Sequence, residues 1–137
     1  MSHPDALPEL FLDRSLGRIK VPQLLRAVGL RLTTLAEHYG VPADERVADA
    51  DWLAVAGRRG WVVFMKDTRI RYKPAEKAAV RNHAVRCFCL THQGLPADEM
   101  AHRFVTNLPA ITAACAVPGP FIYAVHAYRI QAMPLGG

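Results

Sequence analysis

Two short apolar runs, each ending in an aspartate, constrain the fold of this chain more than any other feature. The first is Leu10-Phe11-Leu12 followed by Asp13. The second is Trp61-Val62-Val63-Phe64-Met65 followed by Lys66 and Asp67. Runs this short and continuous suit strands covered on both faces, the environment of a mainly parallel sheet between helices. In open α/β sheets, ligands bind just beyond the carboxyl ends of the strands. Asp13 and Asp67 therefore fall on the edge where a site would form.

The rest of the chain alternates in the same style. A strand at about 9–13 leads through Gly17 to a helix over Val21–Gly29, with Pro22 at its start and Gly29 just past its end. Leu30–Leu35 reads as a second strand, and 36–48 as a loop that includes Gly40 and Pro42, with room for a short helix. Asp49 stands where a helix N-cap belongs, its carboxylate available to the first-turn amides. Trp52, Leu53 and Ala56 follow at helical spacing, up to Arg58-Arg59-Gly60. Strand three is Trp61–Lys66. A basic loop, Thr68–Lys73, then reaches a helix that opens with Pro74 and Glu76 and runs to about His83.

Val85–Thr91 is strand four. Ala97–Asn107 is an amphipathic helix with Met100, Phe104 and Leu108 on one face, and Pro109 ends or bends it before helix resumes to Ala116. After the break at Pro118-Gly119-Pro120, Phe121–Met133 reads as a final strand or hairpin arm. Phe121–Leu135 either covers a sheet edge or forms a homodimer contact. Residues 1–8, with two prolines, read as a frayed leader. The alternation predicts one domain over 1–137, a three-layer α/β/α sandwich with a mainly parallel sheet of about five strands.

Composition narrows the function. The 137 residues are 51% apolar and 21% charged, as in globular proteins. No apolar run approaches the roughly 20 residues that cross a bilayer, and no basic-then-apolar leader opens the chain. The expected location is cytoplasmic, without a membrane partner. Cys87, Cys89 and Cys115 are odd in number and lack C-x-x-C spacing, so they read as buried thiols rather than disulfides or zinc ligands. Between Gly57 and Arg86 lie nine Lys or Arg against two acids, whereas Glu37–Asp51 holds five acids against Arg46. A basic stretch beside an acidic one suits a polyanion held near a cation, although solvated helix faces give similar counts.

Asp13, Asp49 and Asp67 all fall at element boundaries on one expected edge. Clustered carboxylates persist where a cation neutralises them, and oxygen-only donors favour Mg²⁺ or Mn²⁺ over zinc. Such an ion bridges a phosphodiester oxygen and activates water, with the basic loop after Asp67 holding phosphates. Each aspartate alone is ordinary turn or cap chemistry; the conjunction carries the reading. Ser15 lacks a G-x-S-x-G elbow and reads as a turn hydroxyl, and no Gly-rich phosphate loop is present. His38, His83, His92, His102 and His126 are scattered without metal spacing. Trp52 and Trp61 read as core residues. Tyr72, between Arg71 and Lys73, either stacks on a base or is an exposed loop residue.

Phe11-Leu12-Asp13-Arg14-Ser15-Leu16-Gly17, Asp49-x-Asp51-Trp52-Leu53, Gly60-Trp61-Val62-Val63, Lys66-Asp67-x-Arg69-Ile70-Arg71 and Pro74-Ala75-Glu76 occur in that order. Together with Pro118-Gly119-Pro120-Phe121-Ile122-Tyr123 they resemble the PIN-like domain family, in particular its stand-alone members related to VapC-type toxins. The resemblance spans about Phe11 to Ile130. It implies a Mg²⁺- or Mn²⁺-dependent endoribonuclease in which Asp13, Asp49 and Asp67 hold the ion and Asp51 is the alternative to Asp49. Lys66, Arg69 and Arg71 would contact RNA phosphates, with Arg14 assisting. Water attack would leave a 3′-hydroxyl and a 5′-phosphate, and a small antitoxin would silence the protein.

Two positions depart from the family pattern. Met65 stands where a Thr or Ser is usual, and a fourth acid has no clear counterpart beyond Glu76 or Asp98. An alternative is therefore a module of the same fold that binds RNA or a protein partner without cutting. A small-molecule α/β enzyme is a third class, with no cofactor signature behind it.

Overall fold

Alternate residues of each strand point into two separate cores, which divides the chain into three layers. A computed structural model describes residues 2–136. The order begins β1 (Leu10–Leu12), α1 (Lys20–Ala27), β2 (Leu32–Thr34), α2 (Leu35–Tyr39), α3 (Asp49–Arg59) and β3 (Val62–Lys66). It continues with α4 (Pro74–Asn82), β4 (Arg86–Leu90), α5 (Ala97–Thr106), α6 (Leu108–Ala114), β5 (Phe121–Val125) and β6 (Ile130–Met133). Leu10 and Leu12 pack with Val62 and Phe64 against Leu25, Phe104 and Ile111 from α1, α5 and α6. Phe11, Val63 and Met65 face the other way, onto Trp52, Leu53 and Val80 of α3 and α4. Cys87 and Cys89 share that second core, as their alternation predicts.

The sheet runs β2-β1-β3-β4-β5-β6, parallel throughout except that β6 pairs antiparallel with β5. The α/β sandwich is as expected, with six strands rather than about five. The sixth arises because Phe121–Met133 folds back as a complete hairpin. Leu135 then packs onto the α3–α4 core, so the apolar C-terminal segment covers the sheet within the chain. Because β1 lies between β2 and β3, the connections leave it in opposite directions. This opens a crevice at the carboxyl ends of β1 and β3.

Aromatic rings anchor both cores. Phe64 stacks on Phe104 at 4.2 Å, and Phe11 stacks on Trp61 at 5.0 Å with the Arg59 guanidinium over the indole. Truncating a ring of this kind costs about 3–5 kcal/mol. Helices α3 and α4 approach so closely that a Cβ added to Gly57 would lie 2.2 Å from the His83 carbonyl oxygen.

Some boundaries move. Helix α1 opens at Lys20, which leaves Pro22 inside the first turn, where its missing N–H costs nothing. The amphipathic helix α5 ends at Thr106, and helix resumes as the separate α6 from Leu108 to Ala114, with Pro109 in its first turn. The leader is not frayed over its described residues. His3 is buried, accepts from the Arg31 N–H at 2.9 Å and contacts the Leu7 carbonyl at 2.8 Å, while Leu7 joins the α1–α5 core. Met1, also assigned to that leader, lies outside the described residues. No helix among the described residues is long and apolar enough to cross a membrane.

Candidate active site

The two strand-ending aspartates occupy the crevice. The Asp13 N–H donates to the Phe64 carbonyl at 3.4 Å, and the Asp67 N–H to the Leu90 carbonyl at 3.0 Å. Both residues thus continue the sheet ladder by one bond before the chain turns away. Asp13 caps the single turn Arg14–Leu16, its Oδ1 accepting from the Ser15 N–H at 3.1 Å and from the Ser15 hydroxyl. The same hydroxyl oxygen accepts from the Lys66 N–H at 2.8 Å. Ser15 is therefore a clasp between the ends of β1 and β3, consistent with a turn hydroxyl and more specific than one.

Asp13 is buried, 6% exposed. Burial pushes its carboxyl up to about 7. The two Ser15 hydrogen bonds pull it back, the nearby Asp49 charge adds to the rise, and Arg14 opposes it. An acid held this way gains from any cation brought into the crevice.

Asp49 reaches the crevice differently from the expectation. Ala48 occupies the cap position and Asp49 is the first helical residue. Its Oδ1 accepts from the Trp52 indole N–H at 3.0 Å instead of the first-turn amides. The buried indole needs an acceptor, and that need decides the orientation. Arg14 Nη1 lies 3.7 Å from the same oxygen, and its guanidinium also donates to the Asp44 and Val47 carbonyls. Arg14 thereby ties the loop before α3 to the end of β1. A second clasp holds that loop, since Arg18 grips the buried Asp44 through two bonds, of 3.0 and 2.8 Å.

Asp67 accepts from the Arg69 N–H at 2.8 Å through Oδ1 and from the Lys73 ammonium at 2.6 Å through Oδ2. That bond raises the Lys73 pKa, so the lysine stays charged on the carboxylate. Asp13, Asp49 and Asp67 line one cleft of about 430 Å³, together with Arg14, Ser15, Met65, Lys66, Lys73 and Gln93. Lys66 faces it directly. Arg69 and Arg71 are exposed on the loop after β3, outside the cleft wall. Among the described residues, Lys66, Arg69 and Arg71 form no ion pair.

The expected ligand set is corrected in two respects. Among the described residues no three Asp, Glu, His or Cys side chains stand together as a ready metal cage. Lys73 occupies Asp67, while Trp52 and Arg14 hold one oxygen of Asp49. Asp51 is exposed and does not line the cleft, because it lies two residues along the helix and faces solvent. Glu76 and Asp98 do not line it either. In kind, the donors still fit a hard cation: three carboxylates in one cleft, one of them buried at an energetic cost.

Met65 lines the cleft where a hydroxyl is usual, and its sulfur accepts from the Cys87 thiol at 3.3 Å. The three cysteines are buried, and burial pushes their thiols up, Cys115 to about 11. None is a reactive thiolate. Sequence reasoning missed Lys73, which it counted only as part of a basic loop, and Gln93, which enters from the β4–α5 turn. A lysine six residues after a strand-ending acid, just before a proline-opened helix, is the signal that marks Lys73.

A family model described as PIN like domain matches residues 8–92, which include β1 to β4 and all three candidate acids. The chain belongs to the PIN-like domain family. It is 44% identical over 124 residues to a protein of Mycobacterium tuberculosis (strain ATCC 25618 / H37Rv) named "Putative ribonuclease VapC45", covering 90% of each chain. No solved structure matches the chain.

Proposed function

We propose that this protein is a metal-dependent endoribonuclease acting in the cytoplasm, the toxin of a toxin–antitoxin pair with a small protein as its natural silencer. The observation that supports the reading best is that Asp13, Asp49 and Asp67 line one cleft at the β1–β3 switch point together with Lys66, with Arg69 and Arg71 exposed on the loop that follows. The 44% identity to a protein named as a ribonuclease supports the same class of substrate.

Asp13, Asp49 and Asp67 would hold Mg²⁺ or Mn²⁺. Bound there, such an ion supplies charge neutralisation and Lewis-acid polarisation of a phosphodiester. The chain's own residues do the remaining work. Ser15 fixes the Asp13 carboxylate, and Arg14 fixes Asp49 against the end of β1. Lys66 and the two exposed arginines draw in and hold the phosphates. Water entering the open cleft is the nucleophile, and the products carry a 3′-hydroxyl and a 5′-phosphate.

The test is cleavage of structured RNA in Mg²⁺ or Mn²⁺. Loss of cutting in Asp13→Asn and in Asp67→Asn is expected, and unchanged activity in both variants would sink the reading. A second reading, binding without cutting, is favoured by Met65 in the cleft wall and by the Lys73 ammonium on Asp67. Calorimetry separates the two, since the non-cutting module takes up no Mn²⁺ at millimolar concentration.

A further inference from the structure

A second cavity, of about 230 Å³, opens on the same edge of the sheet and shares Thr68 with the carboxylate cleft. It lies one strand gap along. Thr68 follows Asp67 at the end of β3, and Thr91 follows Leu90 at the end of β4; the two ends are joined by the Asp67 N–H on the Leu90 carbonyl. Neighbouring strands sit about 4.8 Å apart, so the cavity is one short step from the acids. Ile70 and Met133, which also pack in the α3–α4 core, line it together with Thr68 and Thr91. Arg71 and Tyr72, both exposed, complete the lining. Tyr72 is 70% exposed, and its hydroxyl makes no hydrogen bond among the described residues. The Arg71 guanidinium beside it forms no ion pair among the described residues.

We propose that this cavity is a nucleobase subsite for single-stranded RNA, in which Tyr72 stacks on the base next to the scissile phosphate. It rests on the ribonuclease reading and extends it. An aromatic face binds any base by stacking. A threonine hydroxyl both donates and accepts, and so serves the edge of a purine or a pyrimidine. Arg71 lines the cavity four residues after Asp67, so its guanidinium is available to a phosphate of a strand that enters it. Bases inside a duplex are unavailable to such a pocket, so it selects unpaired nucleotides.

The experiment measures binding of a labelled mixed-sequence RNA decamer, and of the same decamer as a perfect duplex, with EDTA present to prevent cutting. Tyr72→Ala should weaken single-strand binding about 5- to 150-fold, the range for losing one stacked base. It should leave duplex binding within about twofold, and Tyr72→Trp should restore the single strand. Thr91→Leu, which adds bulk to the cavity lining, should act like Tyr72→Ala. The proposal is overturned if Tyr72→Ala binds the single strand as wild type does, or loses strand and duplex equally. It is also overturned if Tyr72→Ala releases a protein partner while RNA binding is untouched. Wild-type protein that neither binds nor cuts RNA overturns the ribonuclease reading along with it; RNA cut normally by Tyr72→Ala overturns the subsite alone.

Discussion

Replacing Asp13 by Asn isolates what the chain gives up to keep a carboxylate in its crevice. Asn has the same shape and its oxygen still accepts from the Ser15 N–H and hydroxyl, but it cannot ionise. Burial moves the Asp13 carboxyl from 3.8 to about 7. Between those values the folded chain holds a proton that the unfolded chain has already lost. Wild-type stability therefore falls as pH rises through that window, by about 1.4 kcal/mol per unit, and the cost is fully present above it. The ceiling on that cost is about 4 kcal/mol. Urea denaturation in EDTA at about pH 4 and pH 8 measures it. Asp13→Asn should match wild type at the lower pH and exceed it at the higher one. Added Mn²⁺ should then stabilise wild type and leave the variant unchanged, as expected for a ligand that binds only the folded state. Equal stabilities at both pH values would refute the argument that the buried acid is held at a cost.

Lys73→Met leaves Asp67 without its ammonium partner. It should lower stability in EDTA by about 1–2 kcal/mol while tightening Mn²⁺ binding in calorimetry, because the ion no longer competes with a lysine. Arg18→Met strips the buried Asp44 of the guanidinium that holds its carboxyl below the ordinary 3.8. The stability gap from wild type should be present at about pH 6 and shrink as pH falls below that ordinary value, read by thermal melts. Gly57→Ala forces α3 and α4 apart at the His83 carbonyl, and a loss of about 1–3 kcal/mol is expected in urea titrations.

Much of the architecture was legible because the strands are covered on both faces, and their composition says so. Leu10-Phe11-Leu12 and Val62–Met65 have no polar residue that would permit a wet face. The edge position of Asp13 and Asp67 followed directly. Two kinds of information were not local. The number of strands depended on whether Phe121–Met133 turns on itself, and no Asn-Gly or Asp-Gly signal marks the turn between Val125 and Ile130. The orientation of Asp49 depended on Trp52, whose indole N–H finds its acceptor only once α3 has formed and the ring is buried. Lys73 and His3 belong to the same group: each finds its partner only once distant segments have met, His3 with the Arg31 amide and Lys73 with Asp67.

The Ser15 clasp has a consequence for when the site comes into being. Its hydroxyl oxygen joins the turn after β1 to an amide 51 positions later. A growing chain that has passed Asp49 but not β3 carries two of the three acids and no strand to hold β1 on that side. Closing so long a loop is an entropic cost met only when the parallel pair itself forms. The crevice is therefore completed by one non-local pairing, and a chain that ends before β3 lacks both Asp67 and the strand that holds β1 on that side.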